Sequence, residues 1–337
     1  MYIKEIMVGE NMNIKDKTLL VLENNRGNYI SGAQLAEELS VSRNSIWKAI
    51  KSLQNDGYNI NAVTNKGYCL SPETDILSTQ SICKNLSNNK DTFNISVYKT
   101  ISSTNSVIKE LAIKGEKEGT VIISEEQTLG RGRFGRKFYS PKGAGIYMSI
   151  LLKPQIPASK SFLITTAAAV AVAEAIETLS GKETKIKWVN DIYCNNKKVC
   201  GILTEASLDF ESGGIEYAVL GIGINVKTPE NGFPEEIKDI ASEIFDNNSL
   251  LLEDIRSKLI AQILEGFWHY YTNIDKKLFL SEYKRRSLLI NKEIQIISGD
   301  NSKKAVALDI DDECRLKVRM EDGTIRFLSS GEVSLKI

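Results

Sequence analysis

The sequence predicts an α+β protein of several domains, and three observations carry that reading. Residues 14–70 show helical periodicity followed by a strand pair, residues 94–288 alternate strand and helix patterns, and residues 289–337 alternate apolar and polar positions between turn residues. A polar stretch, 71–93, is expected to link the first two. With 337 residues, 42% of them apolar, the chain can bury two or three cores.

In the first domain Ser31 can cap a helix carrying Leu35, Ala36 and Leu39, and Ser40 to Ser42 break it before a second helix. The second helix places Ile46, Ala49, Ile50 and Leu53 on one face and ends at Gly57. Its start and other face carry Ser42, Arg43, Asn44, Ser45, Trp47, Lys48 and Lys51, residue types that contact phosphates and base edges in a major groove. The next stretch, YNINAVTNKGYCL, alternates around Asn65-Lys66-Gly67 as a hairpin, whose Lys66 can touch a DNA backbone. This order is that of a winged helix-turn-helix. Such a fold also serves protein contacts, but Arg43, Lys48, Lys51 and Lys66 against the single acid Asp56 suit a phosphate partner.

The middle domain has candidate strands at Thr120–Ser124, Ile146–Leu152, Lys185–Val189, Gly201–Leu208 and Ala218–Val226, with helices near Asn105–Lys114 and Ser161–Leu179. An α+β or α/β sandwich follows. In the last domain, turns at Ser298-Gly299-Asp300, Asp311-Asp312 and Asp322-Gly323 divide short strands of a small all-β barrel.

The formal net charge is zero, which excludes a chain basic along its whole length and leaves room for local patches. Five cysteines without a CxxC pair, and one histidine, His269, give a zinc site little to draw on. They read as reduced thiols in the cytoplasm. Residues 1–13 resemble an irregular leader rather than a secretion signal, and Met12 is a candidate alternative start. The most apolar run, Ala167–Ala173, is too short to span a bilayer and reads as a buried helix.

Chemistry concentrates in Gly130-Arg131-Gly132-Arg133-Phe134-Gly135-Arg136-Lys137. The glycine spacing satisfies GxGxxG, but a dinucleotide fold needs a helix to begin there, and Lys137 to Gly145 is loop-like. A P-loop fails at Gly181-Lys182-Glu183. From Gln127 to Ala173 there is no acidic residue, so basic side chains on a permissive backbone suit an anion, although a solvated or RNA-contacting loop has the same composition. Lys187-Trp188-Val189-Asn190-Asp191 puts a lysine on a strand, where it can neutralise a phosphate, with Asn190-Asp191 at the following turn. Ser102-Ser103-Thr104-Asn105 can cap the next helix or hydrogen-bond a neutral polar ligand.

Taken in order, Ser103-Thr104-Asn105, Gln127, GRGRFGR, KWVND, Gly201-Ile202-Leu203-Thr204-Glu205 and Gly221-Ile222-Gly223-Ile224-Asn225 resemble the successive motifs of bacterial biotin-protein ligases. With both flanking domains the chain resembles the bifunctional class of that family, the biotin operon repressors, over nearly its whole length. The resemblance implies a class II synthetase-like catalytic domain, shared with lipoate-protein ligases, and a C-terminal SH3-like barrel.

It further implies that biotin and ATP, assisted by Mg2+, give biotinyl-5'-AMP, and that a lysine of a biotin carboxyl carrier protein then takes the biotinyl group. The activity would be that of a biotin-[acetyl-CoA-carboxylase] ligase, with the adenylate as corepressor on operator DNA, a homodimer when adenylate-bound, and no membrane partner. By position Arg131, Arg133 and Lys187 would be catalytic. Ser103, Thr104, Asn105, Gln127, Gly132 and those three would bind biotin, while Arg136, Phe138, Asn190 and Asn225 would bind the nucleotide. Gly221 and Gly223 would leave room for the ring system. Metal ligands stay unassigned. The chain departs from the family where Phe138 replaces a frequent tryptophan and where Val189 replaces the proline of KWPND. Two rivals stand beside this reading: a lipoate-type ligase, and a ligand-sensing transcription factor without catalysis.

Overall fold

Asn13 accepts the Asp16 N–H and so caps α1 (Ile14–Asn24), the first element of the computed structural model. The structure describes residues 12–209, 213–246, 253–298, 301–329 and 331–335. The expected leader up to residue 11 and the expected turn at 299–300 lie outside these. The chain divides into two units, residues 1–97 with 248–262, and residues 98–247 with 263–337.

In the first unit α2 (Gly32–Glu38) begins with a full capping box, Ser31 and Gln34 each accepting the other's backbone N–H. Ser42 caps α3 (Arg43–Asn55), and β1 (Ile60–Val63) pairs antiparallel with β2 (Gly67–Leu70). Leu22, Leu35, Ile46, Ile50, Leu53, Ile60 and Leu70 close one core, Leu35, Ile46, Ile50 and Leu53 as the helical spacing predicts. Gly67 has φ +102°, and a Cβ there would sit 2.1 Å from the Ile30 carbonyl oxygen, so the turn into β2 requires glycine.

The stretch 71–93, expected as a polar linker, is instead packed. Ser78 caps α4 (Thr79–Asn85), whose Ile82 and Cys83 are buried, and Leu77, Leu86 and Phe93 are buried beside it. Arg26, at the end of α1, pairs with Glu23 at 2.8 Å and donates to the carbonyls of Pro72 and Thr74. Asp254 accepts from Ser81 and Asn85, and Arg256 pairs with Asp75. The apolar residues here are too widely spaced to give a periodic signal, and buried ion pairs made the segment look solvated. Next comes β3 (Asn94–Tyr98).

The second unit holds α5 (Thr104–Ile113), β4 (Thr120–Ser124), β5 (Gly145–Leu152), α6 (Phe162–Ser180), β6 (Lys185–Lys187), β7 (Asp191–Cys194), β8 (Lys197–Leu208) and β9 (Ile215–Asn225). Strands β4-β5-β9-β8-β7-β6 lie in that order, every neighbouring pair antiparallel. Helix α5 packs Ile108 against Ile122, Leu151 and Val219 on one face, and α6 contacts β6, β7 and β8. The stretch Ala158–Ser180 is long and apolar enough to cross a bilayer by composition, longer than Ala167–Ala173, and 72% of the apolar 18 residues within it are buried inside the protein. Gly181 ends α6 in the left-handed region.

The strand expected over Lys185–Val189 stops at Lys187, and Asp191, expected in the turn, opens β7. Trp188 and Val189 continue the apolar run but turn inward, the indole N–H donating to the Cys314 carbonyl and the Val189 carbonyl accepting from Tyr283. The peptide between them is cis.

Helices α7 (Ile255–Thr272) and α8 (Leu280–Arg285) precede β10 (Glu293–Ser298), β11 (Asn301–Ile310), β12 (Leu316–Met320), β13 (Ile325–Leu328) and β14 (Glu332–Leu335). These five form an antiparallel sheet in the order β13-β12-β11-β10-β14.

Candidate functional site

Register across the sheet decides what faces the site. Ser149 of β5 lies opposite Gly221 of β9, which lies opposite Leu203 of β8, and Tyr147, Gly223 and Gly201 repeat the alignment two residues away. Side chains alternate along a strand, so these positions share one face. Two glycines of β9 and one of β8 hollow it.

At the edge of this hollow Ser103 occupies the N-cap position of α5 without a capping side-chain bond, so the expected cap is not made. The Thr104 N–H goes instead to Gln127 Oε1 at 2.8 Å, while Gln127 Nε2 donates to Ser140 Oγ at 3.0 Å. The β9 glycines line a cavity and also let neighbouring side chains come close. A Cβ on Gly221 would lie 2.2 Å from Asn105 Oδ1, and one on Gly223 would lie 2.6 Å from the Phe138 ring.

The basic segment folds back on itself. Arg131 bridges to Lys137, Gly132 N–H donates to the Arg136 carbonyl at 2.8 Å, and Phe138 N–H donates to the Gly130 carbonyl at 2.9 Å. Only a single 3-10 turn, Arg133–Gly135, interrupts it, so the glycines start no helix and the dinucleotide reading stays excluded. Arg133 stacks on Phe134, which is 65% exposed, and donates to Asn190 Oδ1 and to the Gly331 carbonyl, both at 2.9 Å. Asn190 in turn donates to the Ile202 carbonyl at 2.8 Å, tying loop, KWVND turn and β8 together.

Two adjoining cavities result. One is lined, apart from Arg131, by neutral groups, among them Ser103, Thr104, Asn105, Gln127, Met148 and Leu203. The other is lined by Arg131, Arg133, Arg136, Lys137, Lys187 and Lys198, with Gly132, Asn190, Asn225 and a single acid, Asp191. Arg131 and Phe138 border both. Lys198 pairs with Asp191 at 2.6 Å, which leaves the excess of positive charge facing the cavity. Such a pair of cavities suits a ligand with a neutral polar head joined to an anionic group. Cys200 also lines the basic cavity, but complete burial pushes its thiol far up, away from nucleophilic use.

Every site residue expected in this unit therefore borders one of the two cavities. Sequence reasoning missed Ser149, opposite Gly221, Ser140, which accepts from Gln127, and Lys198 of the basic cavity. Ser149 had a signal, as the one serine inside the buried strand GIYMSILL, whereas Lys198 in NNKK had none. In the other unit Arg43, Asn44, Trp47, Lys48 and Lys51 are exposed along α3, Trp47 by 50%. Ser42 and Ser45 bond each other at the helix start, and Lys66 lies over the Tyr29 ring.

Comparison with known proteins bears on the whole chain. It is 35% identical to the bifunctional ligase/repressor BirA of Bacillus subtilis (strain 168), over 95% of this chain and 98% of that one. The chain belongs to the Biotin/lipoate A/B protein ligase family. Residues 97–225 match that family, residues 15–69 match an HTH domain, and residues 289–336 match the Biotin protein ligase C terminal domain. Another relative of this ligase-family chain is the BirA of Escherichia coli (strain K12), 30% identical over 95% of this chain and 96% of that protein. The structure of biotin protein ligase from Aquifex aeolicus in complex with biotin and ATP is similar at a TM-score of 0.60 and 28% identity, covering 72% of this chain and 98% of that one.

Proposed function

We propose that this chain activates biotin with ATP to biotinyl-5'-AMP, transfers the biotinyl group to a lysine of a biotin carboxyl carrier protein, and represses transcription through its helix-turn-helix domain. The observation that carries the chemistry is the neutral cavity opening, past Phe138 and Arg131, onto a basic one. In the first step a biotin carboxylate oxygen attacks the α-phosphorus and pyrophosphate leaves. In the second a carrier lysine attacks the acyl carbon, AMP leaves, and the amine gives up a proton.

Bringing two anions together is the barrier, and fixed positive charge lowers it. Lys187 holds the carboxylate and α-phosphate, and Arg131 to Arg133 cover the adenylate. Ser103, Thr104, Asn105 and Gln127 take the ureido ring; Arg136, Phe138, Asn190 and Asn225 take the nucleotide. Among the described residues no group of three metal-ligating side chains occurs, and Asp191 is paired with Lys198. Asp191 and Asn225, which line the basic cavity, carry side-chain oxygens that would hold Mg2+ beside the ATP phosphates. When bound, the ion would offset phosphate charge.

The neutral cavity's hydroxyl and amide groups favour a ureido ring over the apolar tunnel a dithiolane would need. We read the domains as 14–70, 94–288 and 289–337, the middle one class II synthetase-like and the last an SH3-like barrel. The protein works in the cytoplasm and dimerises on operator DNA when the adenylate is bound. Incubation with ATP, labelled biotin and a carrier domain tests the reading. Label on the carrier is expected; transfer of lipoate instead, or no transfer of either, overturns it.

A further inference from the structure

Behind the neutral cavity runs a file of polar side chains. Lys109 Nζ pairs with Glu205 Oε1 at 2.6 Å, and Glu205 Oε2 accepts from Asn105 Nδ2 at 2.7 Å. Ser149 Oγ, fully buried, lies 2.6 Å from Asn105 Oδ1 and 2.7 Å from Thr104 Oγ1.

Proton counting fixes the direction of these bonds. A carboxylate only accepts, so Glu205 takes the Asn105 amide N–H and turns Oδ1 toward Ser149. That oxygen carries no proton, so the single proton of Ser149 goes to it. The short Ser149–Thr104 contact then needs the proton of Thr104. The longer approach of Thr104 Oγ1 to Gln127 Oε1, 3.1 Å, competes for the same proton and also leads it into the protein. Thr104 Oγ1 is left to meet the cavity with lone pairs alone. Partial burial would raise the Glu205 carboxyl, but hydrogen bonds from Lys109 and Asn105, with the charges of Lys109 and Arg131, outweigh it and hold the group below the usual carboxylate range. Glu205 is thus an acceptor at neutral pH.

We propose that Glu205 and Ser149 are positioning residues that set this wall of the cavity as a hydrogen-bond acceptor, selecting a ring that presents N–H groups to it, as a urea does. The inference rests on the biotin reading above. It assigns ligand selection to two side chains that need not touch the ligand.

The test measures biotin-dependent pyrophosphate release from ATP by the full chain, the Ser149→Ala variant and the Glu205→Gln variant. Biotin and its two derivatives methylated on one ureido nitrogen are the ligands. Each variant is expected to raise the KM for biotin about tenfold, the loss of about one hydrogen bond, while kcat and the KM for ATP change less than about threefold. Discrimination between biotin and at least one methylated derivative narrows in the same proportion, which a merely structural role would not produce. Unchanged biotin KM and unchanged discrimination in Glu205→Gln overturn the inference while leaving the function standing. No pyrophosphate release by the unaltered chain overturns the function itself. Glu205→Gln is isosteric on a half-buried side chain, so it decides the question where Ser149→Ala is unstable.

Discussion

Arg133 joins the basic loop to the rest of the site, through Asn190, the Gly331 carbonyl and the face of Phe134. A charge-assisted hydrogen bond is worth about 1.5–3 kcal/mol, so Arg133→Gly removes enough to open the loop about ten- to a hundredfold more often. Adenylate should then escape, and biotin labelling of lysines on unrelated proteins should rise by a similar factor; wild-type labelling with adenylate still formed would refute the retention role. Lys187 sits at the end of β6 beside the inward turn of Trp188 and Val189, facing the basic cavity. Lys187→Ala should slow adenylate formation by roughly 10²-fold or more, as removal of one transition-state donor does, and a single-turnover assay reads it directly. Arg133 was legible because charge and glycine cluster in sequence there, and Lys187 because it stands on a strand just before the Asn190-Asp191 turn. The Asn190 amide was legible only as a motif member, since its bonds to Arg133 and Ile202 join residues far apart in the chain.

Among elements, α3 exposes basic residues and Trp47 while its apolar face closes the core, the division expected of a helix that enters a groove. Replacing both Lys48 and Lys51 by alanine should weaken binding to a mixed-sequence DNA duplex and lower the slope of log K against log salt by about 2, roughly one for each phosphate no longer neutralised. Pyrophosphate release should stay within about twofold of the unaltered chain. An unchanged slope, read by fluorescence anisotropy across a salt series, would remove α3 from the interface. The amphipathic α3 was readable from periodicity because one pattern repeats over several residues, and β4 from its short apolar run, buried throughout. The hollow on β8 and β9 was not, because glycine shows that space exists without showing that Asn105 and Phe138 come up against it.

At the scale of the whole molecule, the finding that changes most from the sequence is that 71–93 is a packed segment. Its α4 buries Ile82 completely and contacts α1, and the network of Glu23, Arg26, Ser81, Asn85 and Asp254 is assembled from three separated stretches of chain. Deleting residues 1–70 would therefore take away the partner face of α4 and the guanidinium beside Asp254. A flexible linker would lose nothing by that deletion. Uncovering an isoleucine alone costs about 1.5–3 kcal/mol, so amides of residues 79–85 should exchange hydrogen at least about tenfold faster in the shortened chain. The same loss should lower Tm by several degrees, at about 2–4 °C per kcal/mol for a domain of this size. Equal protection and equal Tm in the two chains would return the segment to the role of a passive linker. The expected result instead makes it part of the fold that carries α3.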